Sequence, residues 1–228
     1  EQFRAAMGIV PIGLIMNAGF LYLWRVIPPR VPEWGFRVRL TTVTAINLSI
    51  WFTAAGVSII GIRQLLESGH SPMLIGSVSL VAGIFFGVAA CWHLVPAPRG
   101  SNPVGPLTLM MRGVAAAISI GVAVWLAGLG NPLASGVMSI FPAIFTTSMV
   151  ALWVSQGEAV PAGAIGPMML GAQSVSLYAL LVGMLYPVAN GLLGLVMFSI
   201  LAWLIAVSLM NGGAWWWLVR KYRASPVD

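Results

Sequence analysis

Acidic side chains are nearly missing from this chain: five Asp and Glu stand among 228 residues, and only 7% of positions are charged. A soluble domain carries roughly 25% charged residues. With so little charge to keep it dispersed in water, the surface must meet lipid. Cysteine is reduced to Cys91, so no intrachain disulfide can form and the lone thiol carries no redox information. Histidine is reduced to His70 and His93, at opposite ends of one apolar run. That separation cannot place both rings on one metal or haem. The sequence contains no His-Glu-x-x-His, no Gly-x-Ser-x-Gly and no Gly-x-x-x-x-Gly-Lys. No catalytic residue, metal ligand or cofactor site is marked, and the chain does not read as an enzyme.

Apolar residues are abundant, at 59% of the chain, with 26 glycines and 15 prolines between them. About 20 apolar residues form a helix long enough to cross a bilayer. Breaks at Pro, Gly and charge divide the chain into seven such runs, at 7–24, 42–62, 72–95, 107–129, 134–154, 167–186 and 192–210. The expectation is an all-α, polytopic integral membrane bundle of about seven transmembrane helices, forming one transmembrane domain over 1–228.

Charge tests that division. Seven spans put alternate connections on opposite sides. Arg25, Arg30, Arg37, Arg39, Arg99, Arg112, Arg220, Lys221 and Arg223 then share one side, and only Arg4 and Arg63 fall on the other. The positive-inside rule places the richer side in the cytoplasm or its equivalent, with the N-terminus outside and the C-terminus inside. The net charge of +6 does not point to nucleic acid, because the cations flank apolar runs and form no solvated basic face. Trp215, Trp216 and Trp217, next to Arg220 and Lys221, read as a membrane anchor at the lipid–water interface. They lie in a juxtamembrane tail, 211–228.

Two stretches echo each other. Pro72-Met73 with Gly76, and Pro167-Met168 with Gly171, each open an expected span, and each follows a link with one acid, Glu67 or Glu158. The echo suggests a three-helix unit used twice, over 7–95 and 107–187, plus an extra helix at 192–210. Repetition of an odd number of spans inverts the unit, as in many secondary transporters.

Polar residues in lipid are costly and mark packing contacts or pathways. The candidates for a substrate pathway are Asn17, Thr146, Thr147, Gln173 and Ser174, in the first, fifth and sixth runs, with Glu158 at the inner mouth; as a structural acid Glu158 would instead cap the next helix or pair with a loop arginine. Pro142, Pro161 and Pro167 are expected to break helices and give a re-entrant or mobile start to the sixth span. Two functions compete. One is a small-solute or ion transporter, or permease, with a weakly polar midplane cavity between the first, fifth and sixth spans. The other is a non-catalytic structural or accessory subunit of a larger membrane complex. Membrane lipids are the expected partners, with a homo-oligomer or other membrane subunits also open.

Overall fold

In a computed structural model, residues 2–92, 105–129, 141–188 and 191–224 are described, and no strand occurs among them. The helices are α1 (Gln2–Val26), α2 (Phe36–Glu67), α3 (Pro72–Ala90), α4 (Pro106–Gly128), α5 (Ala143–Gln156), α6 (Ala159–Leu185), α7 (Gly191–Ala206) and α8 (Gly213–Ala224). Short 3-10 turns follow α1 at Pro28–Arg30 and α6 at Tyr186–Val188. A π-helical segment, Val207–Gly212, joins α7 to α8. Five stretches are long and apolar enough to cross a membrane: Phe3–Val26, Phe36–Glu67, Pro72–Ala90, Val160–Val188 and Leu193–Lys221. α4 covers 23 residues, and α5 is a shorter apolar helix of 14. The molecule is an all-α polytopic bundle. The expected start of the fifth span at 134–140, the central loop at 96–103 and His93 lie outside the described residues.

Helix ends depart from the apolar runs in a consistent direction. α2 begins at Phe36, so Arg37 and Arg39, expected in a loop, lie in its first turn. Its 32 residues make a rod of about 48 Å, longer than the roughly 30 Å hydrocarbon core. α6 begins at Ala159 and runs unbroken to Leu185. The breaks expected at Pro161 and Pro167 are therefore corrected. Pro161 sits in the first turn, where its missing N–H has no intrahelical acceptor to lose. Pro167 lies inside the helix, which continues past it although the Gly163 carbonyl loses its intrahelical donor; Arg25 Nη2 donates to the neighbouring Ala162 O (3.1 Å). Pro142 stands just before the first residue of α5, not within a helix. At the far end, Asn211, Gly212 and Gly213 do not stop the chain's last span. Gly costs a helix about 1 kcal/mol in water. In lipid an unpaired backbone group costs several, so the helix continues through a π-helical turn.

The centre of the bundle is formed by α1, α3 and α6. α1 and α3 run in the same direction: Gly8 meets Pro72 and Gly76, Tyr22 meets Phe86 (5.5 Å between ring centroids), and Arg25 Nη1 donates to Ala90 O (2.9 Å). A Cβ on Gly8 would lie 2.6 Å from the carbonyl carbon of Pro72, and one on Gly76 would overlap the Gly8 carbonyl oxygen. The two backbones are in direct contact, which only glycine permits. α6 runs the opposite way, with Gly183 beside Met7 and Met73 at one end and Gly166 beside Cys91 at the other. α2 packs on α1, α4 on α5, and α7 with its π segment on α6. The proline of the first Pro-Met pair begins α3, whereas that of the second lies inside α6, so the two members of the echo hold different structural positions.

Candidate functional site

A cavity of about 360 Å³ lies between α1, α5 and α6. Its wall is made by Met7, Val10, Leu14 and Asn17 of α1, by Ile144 and Phe145 of α5 with Phe141 just before it, and by Ala172, Val175, Tyr178 and Ala179 of α6. The polar groups in this wall are the Asn17 amide and the Tyr178 hydroxyl. Asn17 is 3% exposed, and its Oδ1 accepts from Trp51 Nε1 of α2 at 2.9 Å. Asn17→Ala leaves that indole N–H without its acceptor and is expected to cost about 1–3 kcal/mol. Thermal unfolding in detergent reads it, and adding Trp51→Phe, which removes the orphaned donor, should recover part of the loss.

The other expected pathway residues are placed elsewhere. Thr146 and Thr147 donate to the backbone of their own helix, to Pro142 O (2.7 Å) and Ala143 O (2.8 Å), and do not line the cavity. Ser174 Oγ is turned to Gly171 O (2.7 Å). Gln173 is fully buried and faces α3, where a Cβ on Gly83 would lie 2.5 Å from its Oε1. That oxygen accepts from Ser176 Oγ at 3.1 Å. Glu158 does not line the cavity, and at the N-cap of α6 its side chain makes no capping bond. Its carboxylate pairs with Arg39, at 2.8 Å to Nη1 and 3.2 Å to Nη2.

An aromatic layer closes the cavity towards the end of the bundle that holds Arg25, Arg39 and Lys221. Trp51 and Phe141 meet edge to face at 5.4 Å, and Trp24 and Trp153 at 5.8 Å. Beyond this layer the charged groups serve helix ends. Arg25 links Ala90 O, at the end of α3, to Ala162 O at the start of α6. Arg39 Nη2 also donates to Pro28 O (2.9 Å). Lys221 Nζ donates to Cys91 O (3.0 Å) and to Trp92 O, with the Trp92 ring 4.8 Å away. Cations at a helix C-terminus satisfy its orphan carbonyls and oppose its dipole. Burial pushes the Cys91 thiol up, against the pull of Arg25 and Lys221. In the tail, Arg220 lies 3.7 Å over the Trp216 ring, while Trp215 is 68% exposed. Arg4 and the exposed Arg63–Glu67 pair (2.9 Å) stand at the opposite end.

A second hollow, of about 780 Å³, lies along Val78, Val81 and Phe85 of α3. It is a shallow surface on one helix whose only hydroxyl, Ser77 Oγ, is bonded to Met73 O (2.8 Å). Sequence reasoning passed over Phe145 and Tyr178 as wall residues, and it offered Glu158 a loop arginine without singling out Arg39. Only the i, i+3, i+7 spacing of Ala172, Val175 and Ala179 around Tyr178 hinted at a common face.

These features define an integral, multi-pass membrane protein with an apolar intramembrane cavity. Comparison with family models, with curated proteins and with solved structures gives no match.

Proposed function

We propose that the protein is a channel-like permease for small, neutral, weakly polar solutes, which occupy the cavity between α1, α5 and α6. The observation that carries this reading is the cavity's position and lining. It occupies one half of the bundle, with two polar groups on an otherwise apolar wall, and is backed by aromatic rings and the Arg39–Glu158 pair. A site sealed on one side by a layer that can part is what alternating access requires. The lining selects against ions, since an ion entering it would exchange its hydration shell for one amide and one phenol. Glu158 then acts as a latch at the inner mouth, through Arg39. The cation-rich end faces the cytoplasm or its equivalent, which puts the N-terminus outside.

Swelling of vesicles carrying the purified protein tests this directly. Glycerol, urea and 1,2-propanediol serve as probes, followed by light scattering against protein-free vesicles. Faster entry of at least one is expected, and Ala172→Phe, which puts a ring into the cavity, should cut the protein-dependent rate about tenfold while the protein stays folded. No acceleration with any of the three removes the permease reading.

A second reading, an accessory subunit of a membrane complex, has one observation in its favour: the last span, Leu193–Lys221, buries only 11% of its most apolar window within the chain. Lipid, a second copy or another subunit would cover the rest. Native mass spectrometry from lipid nanodiscs separates the readings, since a single copy that conducts solute needs no assembly.

A further inference from the structure

Two buried polar side chains on the closed side of the cavity have no hydrogen-bonding partner among the described residues. Asn47 is fully buried on α2, and neither its Oδ1 nor its Nδ2 is bonded. Trp24 is 2% exposed on α1, and its Nε1 is likewise unpartnered. Leaving a buried polar group unpaired costs about 1–3 kcal/mol, and an internal water bonded to both groups would relieve that cost.

Their register puts them on one line. α1 and α2 run antiparallel, tied by Trp51 Nε1 to Asn17 Oδ1 (2.9 Å) and by Arg39 Nη2 to Pro28 O (2.9 Å). Asn47 lies one turn from Trp51 towards Arg39. Facing it on α1, one to two turns beyond Asn17, come Leu21 and then Trp24. From the cavity floor towards the cation-rich end, the polar groups therefore follow in the order Asn17, Trp51, Asn47, Trp24, Arg39 and Glu158.

We propose that Asn47 and Trp24 hold a hydrated site, and that this site is the route by which solute passes from the cavity to the Arg39–Glu158 pair. The second half of the statement rests on the permease reading; the first half does not. Water here satisfies the amide and the indole in the closed state. A neutral solute replaces that water hydrogen bond for hydrogen bond, so passage needs only the parting of side chains, without desolvation of a charge. Thr146, Thr147 and Gln173 have no part in this route, because their hydroxyls and amide face their own helix or α3.

Cysteine accessibility tests the site without any knowledge of the solute. Cys91→Ala removes the only native thiol. In that background Asn47→Cys is compared with Met169→Cys, a fully buried apolar position on α6. The probe is the small neutral thiol reagent methyl methanethiosulfonate, applied to the folded protein in vesicles. Labelling at position 47 at least tenfold faster than at 169 is expected, and equal, slow labelling overturns the hydrated site. Exchange of the Trp24 indole proton with deuterium oxide, assigned with Trp24→Phe, gives the same answer on the unmodified chain. Exchange within minutes supports the site, and protection as strong as that of the bonded Trp51 indole overturns it. For the route, Asn47→Leu should lower the vesicle swelling rate about tenfold and leave the fold as stable as before or more so. An Asn47→Leu protein that conducts like the original overturns the route while the permease reading stands. If the original protein conducts none of the three probes, the permease reading falls, and the route with it.

Discussion

Gly76→Ala is expected to destabilise the bundle by about 3 kcal/mol or more, at the upper end of what overpacking costs. The reason is what the new methyl would strike. It would overlap the carbonyl oxygen of Gly8, a backbone atom that no rotamer change can move away. α1 and α3 must then separate by roughly an ångström along a seam whose stability comes from close approach. Gly61→Ala is the control. It lies in α2 with nothing within 4 Å of the added atom, and Ala is the better helix former by about 1 kcal/mol. The same chemical change should therefore lower the unfolding midpoint at 76 and leave it or raise it at 61. Equal midpoints for the two variants would show that the α1–α3 contact does not limit stability.

Breaking the Arg39–Glu158 pair is the second large effect. The side chains are 19% and 34% exposed, which places the pair between a solvated ion pair and a buried one. Exposed pairs contribute about 0.2–1 kcal/mol, and removing one partner of a buried pair costs about 3–5. A double-mutant cycle with Arg39→Ala and Glu158→Ala should give a coupling of about 1–2 kcal/mol. Glu158→Gln keeps the shape and loses the charge. It should weaken the latch and change the vesicle swelling rate severalfold, whereas the exchanged pair, Arg39→Glu with Glu158→Arg, should restore the original rate. Identical flux in Glu158→Gln would remove Glu158 from the conduction mechanism.

What could be read from the sequence follows from what hydropathy measures. It locates the lipid-immersed part of a helix, and the apolar runs lie within or across the helices of the described chain. It does not locate helix ends, because a helix continues into the interface as long as its residues permit. Arg37 and Arg39 are good helix formers, which is why α2 starts six residues before its apolar run, at 36 against 42. Pro161 and Pro167 differ for the opposite reason: proline is judged by its lost hydrogen bond, and one loss is free at a helix start while the other is a single bond within a helix that continues past it. The faces of α6 were also hidden. A helix that is apolar all round carries no stripe to orient it, so nothing in the sequence showed that Gln173 turns to α3 while its neighbour Ala172 turns to the cavity. The Arg39–Glu158 contact spans 119 positions, and neither residue's local surroundings name the other. Asn17 stood out in the sequence because an amide in the middle of an apolar helix needs a partner; it accepts from Trp51 Nε1 and borders the cavity.

The bonds of Lys221 to Cys91 and Trp92 carry a consequence for how the chain is made. The seam between Gly8 and Gly76 can close as soon as the third helix has left the ribosome. The carbonyls at the end of that helix wait for a lysine 130 and 129 residues further on, a delay of roughly ten seconds or more at ordinary rates of synthesis. During that interval these two carbonyls lack the lysine that bonds them in the finished bundle. A chain that stops short of Lys221 leaves the Cys91 and Trp92 carbonyls without this donor.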